Sequence, residues 1–149
     1  MVRSIIRVLV AIVTSVLLAP VAMPVAMMAA QPATVTSLGS VNVSRRVLAN
    51  GQPLAAGTYT LRVAADPISP VLGQTPAESR WVEFVRGGKV VGREVATVVT
   101  GAEAKAVLNG PGPASGSART DMLKGNDYLR IWVNRRGTHY LVHLAVPKA

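Results

Sequence analysis

The feature that most constrains the fold is the C-terminal stretch from Tyr128 to Val146, where two alternating apolar and polar runs flank Arg136–Gly137. A glycine at the second central position suits a two-residue turn, because both central residues of a type I′ turn take positive φ. With that turn Arg135 faces Thr138, Val133 faces Tyr140, Ile131 faces Val142 and Leu129 faces Leu144, so one face of the hairpin is wholly apolar. The opposite face collects Asn134 with His139, Trp132 with Leu141 and Arg130 with His143, and Tyr128 stands at its end. A slip of one residue would mix the faces and bury Arg130 or the histidines among aliphatic side chains. Burying that arginine unpaired is costly, so the apolar pattern itself selects the register.

The chain from Thr34 onward continues in the same style, with short β-branched and aromatic runs punctuated by Gly, Pro and Asn. Val35–Val47 reads as a strand broken at Gly39, and Asn50–Gly51 as a type I′ turn. In Thr58–Val63, Tyr59, Leu61 and Val63 share one face and Thr58, Thr60 and Arg62 the other, the pattern of a half-buried strand. Asp66–Glu78 holds Pro67, Pro70, Pro76 and Gly73 and is expected to run as an extended surface connection over a sheet edge. Trp81–Arg86 and Lys89–Thr100 form a hairpin across Gly87–Gly88, with Gly92 marking a bulge and Glu83 facing Arg93. Ala104–Leu108 reads as a short strand and Gly110–Gly125 as a long, flexible, irregular segment. No stretch sustains a helical apolar stripe. The expectation is an all-β fold, an antiparallel β-sandwich forming a single domain over residues 31–149.

Met1–Ala30 has a different character. Arg3 and Arg7 precede an apolar core of Ile5, Ile6 and Val8–Ala19, and Ala29–Ala30 offer a small-residue cut before Gln31, which together predict a secretory signal peptide built on an N-terminal signal helix. The alternative is an uncleaved anchor, since Val8–Ala30 falls within the roughly 17 to 25 residues of a spanning helix. Pro20 and Pro24 count against it, because each removes a helix donor and crowds the preceding turn. The expected location is periplasmic or secreted, with the membrane met only through the signal segment before cleavage.

The absence of cysteine removes disulfides, thiolate metal sites and a lipid-modified N-terminal cysteine from consideration. The chain carries a net charge of +9, and without Arg3 and Arg7 the balance is fourteen basic residues against seven acidic, or +7. Such a balance favours polyanions such as anionic envelope polymers or lipid headgroups. The cations are dispersed along the sequence, which also fits simple solvation of a surface. No reading element for specific nucleic-acid recognition accompanies them.

The candidate ligand-binding residues are those of the second hairpin face: Tyr128, Arg130, Trp132, Asn134, His139 and His143. Aromatic rings beside Arg and Asn suit stacking on a sugar or other planar ligand, with hydrogen bonds setting its orientation. The same side chains also suit a plain covering role, on the sheet's outer face or beneath a neighbouring segment. His139 and His143 lie four residues apart on a strand, about 13 Å, too far to share one ion. No metal site and no cofactor are expected. Nucleophile-elbow, phosphate-loop and dinucleotide patterns are absent, and no catalytic residue is assigned. A hydrolase-type site would have to be assembled from the histidines and scattered carboxylates in three dimensions.

Leu54-Ala55-Ala56-Gly57-Thr58-Tyr59-Thr60-Leu61-Arg62 resembles the turn-plus-strand element of small secreted bacterial β-sandwich proteins of prealbumin-like or carboxypeptidase-regulatory-like type. Gly57 takes the turn and Tyr59 sets an aromatic beside Leu61. The resemblance implies an immunoglobulin-like or prealbumin-like sandwich and export, and carries no catalytic residues. The functional expectation is an exported, non-enzymatic binding or scaffolding module of the cell envelope, meeting an anionic polymer, a carbohydrate or a protein. A structural subunit that assembles through edge strands is the remaining alternative.

Overall fold

A computed structural model describes residues 35–68, 78–108 and 110–148. Of these residues 59% are strand and 7% helix, which makes the fold all-β. The strands are β1 (Ser37–Val43), β2 (Val47–Ala49), β3 (Gln52–Leu54), β4 (Gly57–Val63), β5 (Ser79–Arg86), β6 (Lys89–Thr100), β7 (Ala118–Met122), β8 (Tyr128–Arg135) and β9 (Thr138–Ala145), with helix α1 (Gly101–Val107) between β6 and β7. The predicted signal segment Met1–Ala30 and residues 69–77 of the proline-rich connection lie outside the described residues.

The β8–β9 hairpin adopts the register that its apolar face requires, with Ile131 opposite Val142, Val133 opposite Tyr140 and Arg130 opposite His143. Arg136 and Gly137 take φ of 51° and 85°, as a type I′ turn demands. Asn50–Gly51 and Gly87–Gly88 turn in the same way, at φ of 47° and 76° and of 56° and 77°. The expected bulge falls beside Gly92, where Phe84 pairs with Gly92 but Val85 pairs with Val90. Gly92 leaves room for its neighbours, since a Cβ there would stand 3.2 Å from Leu54.

All nine strands join in one antiparallel sheet. Its main path runs β1-β4-β5-β6-β9-β8-β7, and the last strand returns beside the first without a ladder between them, so the sheet is nearly closed. The short β2–β3 hairpin attaches through Leu48 opposite Ala145. Hydrogen bonding is thus continuous from β1 through to β7. Enclosed within are Val43, Leu61, Val82, Phe84, Ile131 and Val142, each buried to within 1% of completely. Tyr59 meets Phe84 edge to face, with centroids 5.9 Å apart, and its hydroxyl donates to Ala55 O at 2.6 Å.

Several local expectations are corrected. Val35–Val47 is not one strand, because Ser44–Arg46 breaks it into β1 and β2. Ala104–Leu108 is not a strand, since its residues belong to or end α1. The cause is a capping box: Glu103 N–H donates to Thr100 Oγ1 at 3.5 Å, and Thr100 N–H donates back to Glu103 Oε2 at 2.7 Å. The Thr100 backbone N–H foremost, and after it the Thr100 hydroxyl donating to Glu103 Oε2 at 2.8 Å, hold the Glu103 carboxyl below its ordinary 4.5. Gly110–Gly125 is not irregular throughout, because β7 lies inside it and pairs with β8 from Ala118–Val133 to Met122–Leu129. Glu83 does face Arg93 in the ladder, but its carboxylate takes Arg62 at 2.6 Å from the other side. Arg93 instead stacks on Trp81 at 4.3 Å and reaches Asp66 at 3.3 Å.

Tyr59→Phe leaves Ala55 O without its buried donor, and is expected to lower unfolding free energy by about 1 kcal/mol, measured from urea unfolding midpoints. An unchanged midpoint would show that this hydroxyl contributes nothing to the turn.

Candidate binding cleft beside His139

The second face of the β8–β9 hairpin is not open to solvent over its whole length. Helix α1 and the Gly110–Ser117 segment lie across it, and Trp132 is 0% exposed. Ala104 and Leu108 pack with Trp132 and Leu141 into an apolar cluster separate from the barrel interior. Of the two covering roles compatible with the sequence, packing beneath a neighbouring segment is the one the indole takes. The stacking of a ligand on Trp132 is thereby corrected, because the protein itself occupies the ring.

Two cations join these apolar neighbours at the ring. Arg119 and Arg130 sit 5.0 and 5.5 Å from the Trp132 centroid, and both donate to Asp121 Oδ2, at 2.9 and 3.1 Å. The β7–β8 ladder creates this group by setting Arg119 opposite Trp132 and Asp121 opposite Arg130. A single carboxylate between two guanidiniums offsets part of their repulsion and holds both near the indole. Arg119 also donates to Pro111 O at 3.1 Å. Asn134 Nδ2 donates to Pro113 O at 2.9 Å, while its Oδ1 accepts from Gly137 N–H at 3.0 Å. The segment expected to be flexible is therefore fastened to β7 through Arg119 and to β8 through Asn134, which is a structural tie.

Trp132 Nε1–H donates to His139 Nδ1 at 2.8 Å. An indole nitrogen only donates, so this bond assigns Nδ1 as the acceptor and leaves the ring proton on Nε2. Among the described residues Nε2 has no hydrogen-bond partner, and it faces Gly101, where a Cβ would stand 3.7 Å away. Here a cleft of about 360 Å³ opens between α1, the Gly110–Pro113 backbone and the ends of β8 and β9. Lys105, Pro111 and Pro113 contribute to its walls together with Asn134 and His139. Gly112 lets the loop lie flush on the indole, since a Cβ there would come to 2.6 Å from Trp132 Cζ2.

The six candidate residues thus separate. Trp132, Asn134 and His139 meet at the cleft, whereas Arg130 belongs to the Asp121 group. His143 stands opposite Arg130 at the exposed side of β9, and Tyr128, 48% exposed, lies at the far end of the hairpin. Gly101, Lys105 and Gly112 escaped the sequence reading. The one available signal was Thr100-x-x-Glu103, which marks the start of the covering helix. Among the described residues no three His, Asp or Glu side chains are grouped to hold a metal, and no helix is long and apolar enough to cross a membrane.

Comparison with protein-family models, with curated proteins and with solved structures finds no match to this chain.

Partial desolvation, and after it the Arg130 guanidinium, lower the His143 pKa from its ordinary 6.5, with Glu94 acting in the opposite sense. The unfolded chain therefore takes up a proton at this position at higher pH than the native one does. Native stability is expected to fall as pH drops below about 6.5 toward the depressed folded value. Thermal midpoints recorded between neutral and mildly acidic pH check this, and His143→Gln should flatten part of the decline. An identical profile for the variant would remove His143 as a source.

Proposed function

We propose that the chain is an exported, non-enzymatic envelope protein whose β-domain, residues 31–149, binds an acceptor-bearing ligand in the His139 cleft. The observation that carries this reading is the His139 imidazole on the cleft wall, oriented by Trp132 so that its Nε2–H has no partner among the described residues, with Lys105 on the same cleft. Two donors lining one cleft suit a hydroxyl or carboxylate oxygen of a carbohydrate or an anionic envelope polymer. Net positive charge of the domain favours the same class of partner. His139 takes its orienting bond from an indole rather than a carboxylate, an arrangement suited to holding a ligand more than to drawing a proton from one. Export is supported by the Met1–Ala30 pattern, and the immunoglobulin-like or prealbumin-like sandwich by the Gly57–Tyr59 element.

Two experiments test this. Sequencing of the N-terminus of chain recovered from the cell envelope or medium should begin at Gln31, and a product beginning at Met1 in the membrane pellet would overturn export. For the cleft, the indole N–H resonance of Trp132 is a reporter, to be followed during titration with chito-oligosaccharides and with polygalacturonate. One of the two should shift it in wild-type protein, and Lys105→Glu should weaken the polygalacturonate response at least tenfold if a carboxylate is what binds. No movement of the resonance with either probe would sink the cleft as a site for this class. Trp132→Ala is unsuitable here, because removing a buried Trp costs about 3–5 kcal/mol of stability.

A further inference from the structure

The topology gathers at one end of the barrel charges that are scattered along the chain. Val43 pairs with Gly57, and Arg86, whose Nη2 donates to Ala56 O at 3.2 Å, pairs with Lys89. Tyr128 and Leu48 both pair with Ala145. From its last pair with β9, Ala96 opposite Val142, strand β6 runs on in the direction of that Ala145 end to Lys89. The Ser44–Arg46 bend, the β5–β6 turn, the β7–β8 turn and residues 146–148 therefore share one end.

That end carries Arg45, Arg46, Arg86, Lys89, Lys124 and Lys148, all exposed, against the single carboxylate Asp127. Six cations and one anion give +5 there. The remaining eight cations stand with six carboxylates, so +5 of the domain's +7 is concentrated at one end. Among the described residues four large apolar side chains are exposed, and Val90, Val91 and Tyr128, three of them, lie at this same end. Charge alone would suit any polyanion, but apolar side chains presented among cations match an interface that is anionic at its surface and apolar beneath. Tyrosine is favoured at such a boundary because one end of the ring is apolar and the other polar.

We infer that this end of the barrel is a peripheral docking surface for an anionic lipid bilayer. Val90 and Val91, at the start of β6, and Tyr128 enter the headgroup boundary, and the arginines and lysines around them face lipid phosphates. The His139 cleft, near the Arg135–Thr138 end of the same hairpin, then points away from the bilayer. This contact belongs to the folded domain and is separate from any role of the N-terminal segment in the membrane. It does not depend on what the cleft binds.

Vesicle flotation of the full chain tests the inference, with every variant keeping the same N-terminal segment so that its contribution is constant. Binding is expected to vesicles of equal parts phosphatidylcholine and phosphatidylglycerol, to fall as salt rises, and to be weak on phosphatidylcholine alone. Arg45→Gln with Arg46→Gln should weaken it about 25-fold, at about fivefold for each cation removed. Arg135→Gln with Arg136→Gln, at the other end, should leave it unchanged. Val90→Ser with Val91→Ser should weaken vesicle binding while leaving retention on immobilised heparin intact. Equal binding to both vesicle types, equal losses from the two arginine pairs, or no loss from the valine pair would each overturn the bilayer assignment. The last of these would assign the surface to a soluble polyanion instead.

Discussion

The β8–β9 ladder, with Leu129, Ile131 and Val133 facing Leu144, Val142 and Tyr140, is the constraint on which the rest of the structure depends. Strand β9 pairs with β8 along its length, and on its other edge with β6 over Thr138–Val142 and with β2 at Ala145, so its register is passed to the sheet on both sides. Because side chains alternate across a strand, burying Ile131 and Val142 in the barrel necessarily turns Trp132 and Leu141 outward. An indole left in water on that outer face would forfeit much of its burial, and α1 with the Gly110–Ser117 segment supplies the cover.

That cover in turn creates the cleft. Gly112 permits the loop backbone to touch the indole, Asn134 and Arg119 tie the loop down, and the Thr100–Glu103 box starts the helix at the point where β6 ends. The Trp132–His139 hydrogen bond satisfies the buried indole N–H and at the same time decides which imidazole nitrogen faces outward. One packing requirement therefore has a chemical consequence, since satisfying a donor in the apolar layer leaves another donor without a partner among the described residues at its margin.

Much of the fold was legible in the chain. Three type I′ turns, the bulge at Gly92 and the whole β8–β9 register follow from glycine placement and period-two alternation, which are local properties. The errors share a physical cause. Residue type alone favours a strand over Ala104–Leu108, whereas its conformation is governed by the Thr100 cap. Ala118–Met122 has little apolar alternation, and it becomes a strand because β8 presents a free edge to it. The Glu83–Arg93 pair was a correct neighbour assignment with the wrong partner choice, since Arg62 approaches the same carboxylate from a strand distant in sequence.

By itself the sequence determined an all-β chain with a paired C-terminal hairpin, the two faces of that hairpin, the lack of any cysteine-dependent chemistry and a strongly basic balance. These depend on composition and on spacings of a few residues. Only the tertiary structure decided that the strands join in one nearly closed sheet, that Trp132 and His139 lie under a helix, and that the cations collect at one end. Each of those outcomes depends on which distant segments are brought side by side. Turns separated by tens of residues meet at the same end of the barrel because antiparallel pairing alternates strand direction around it. A dispersed charge pattern along the chain thereby becomes a polarised one in space.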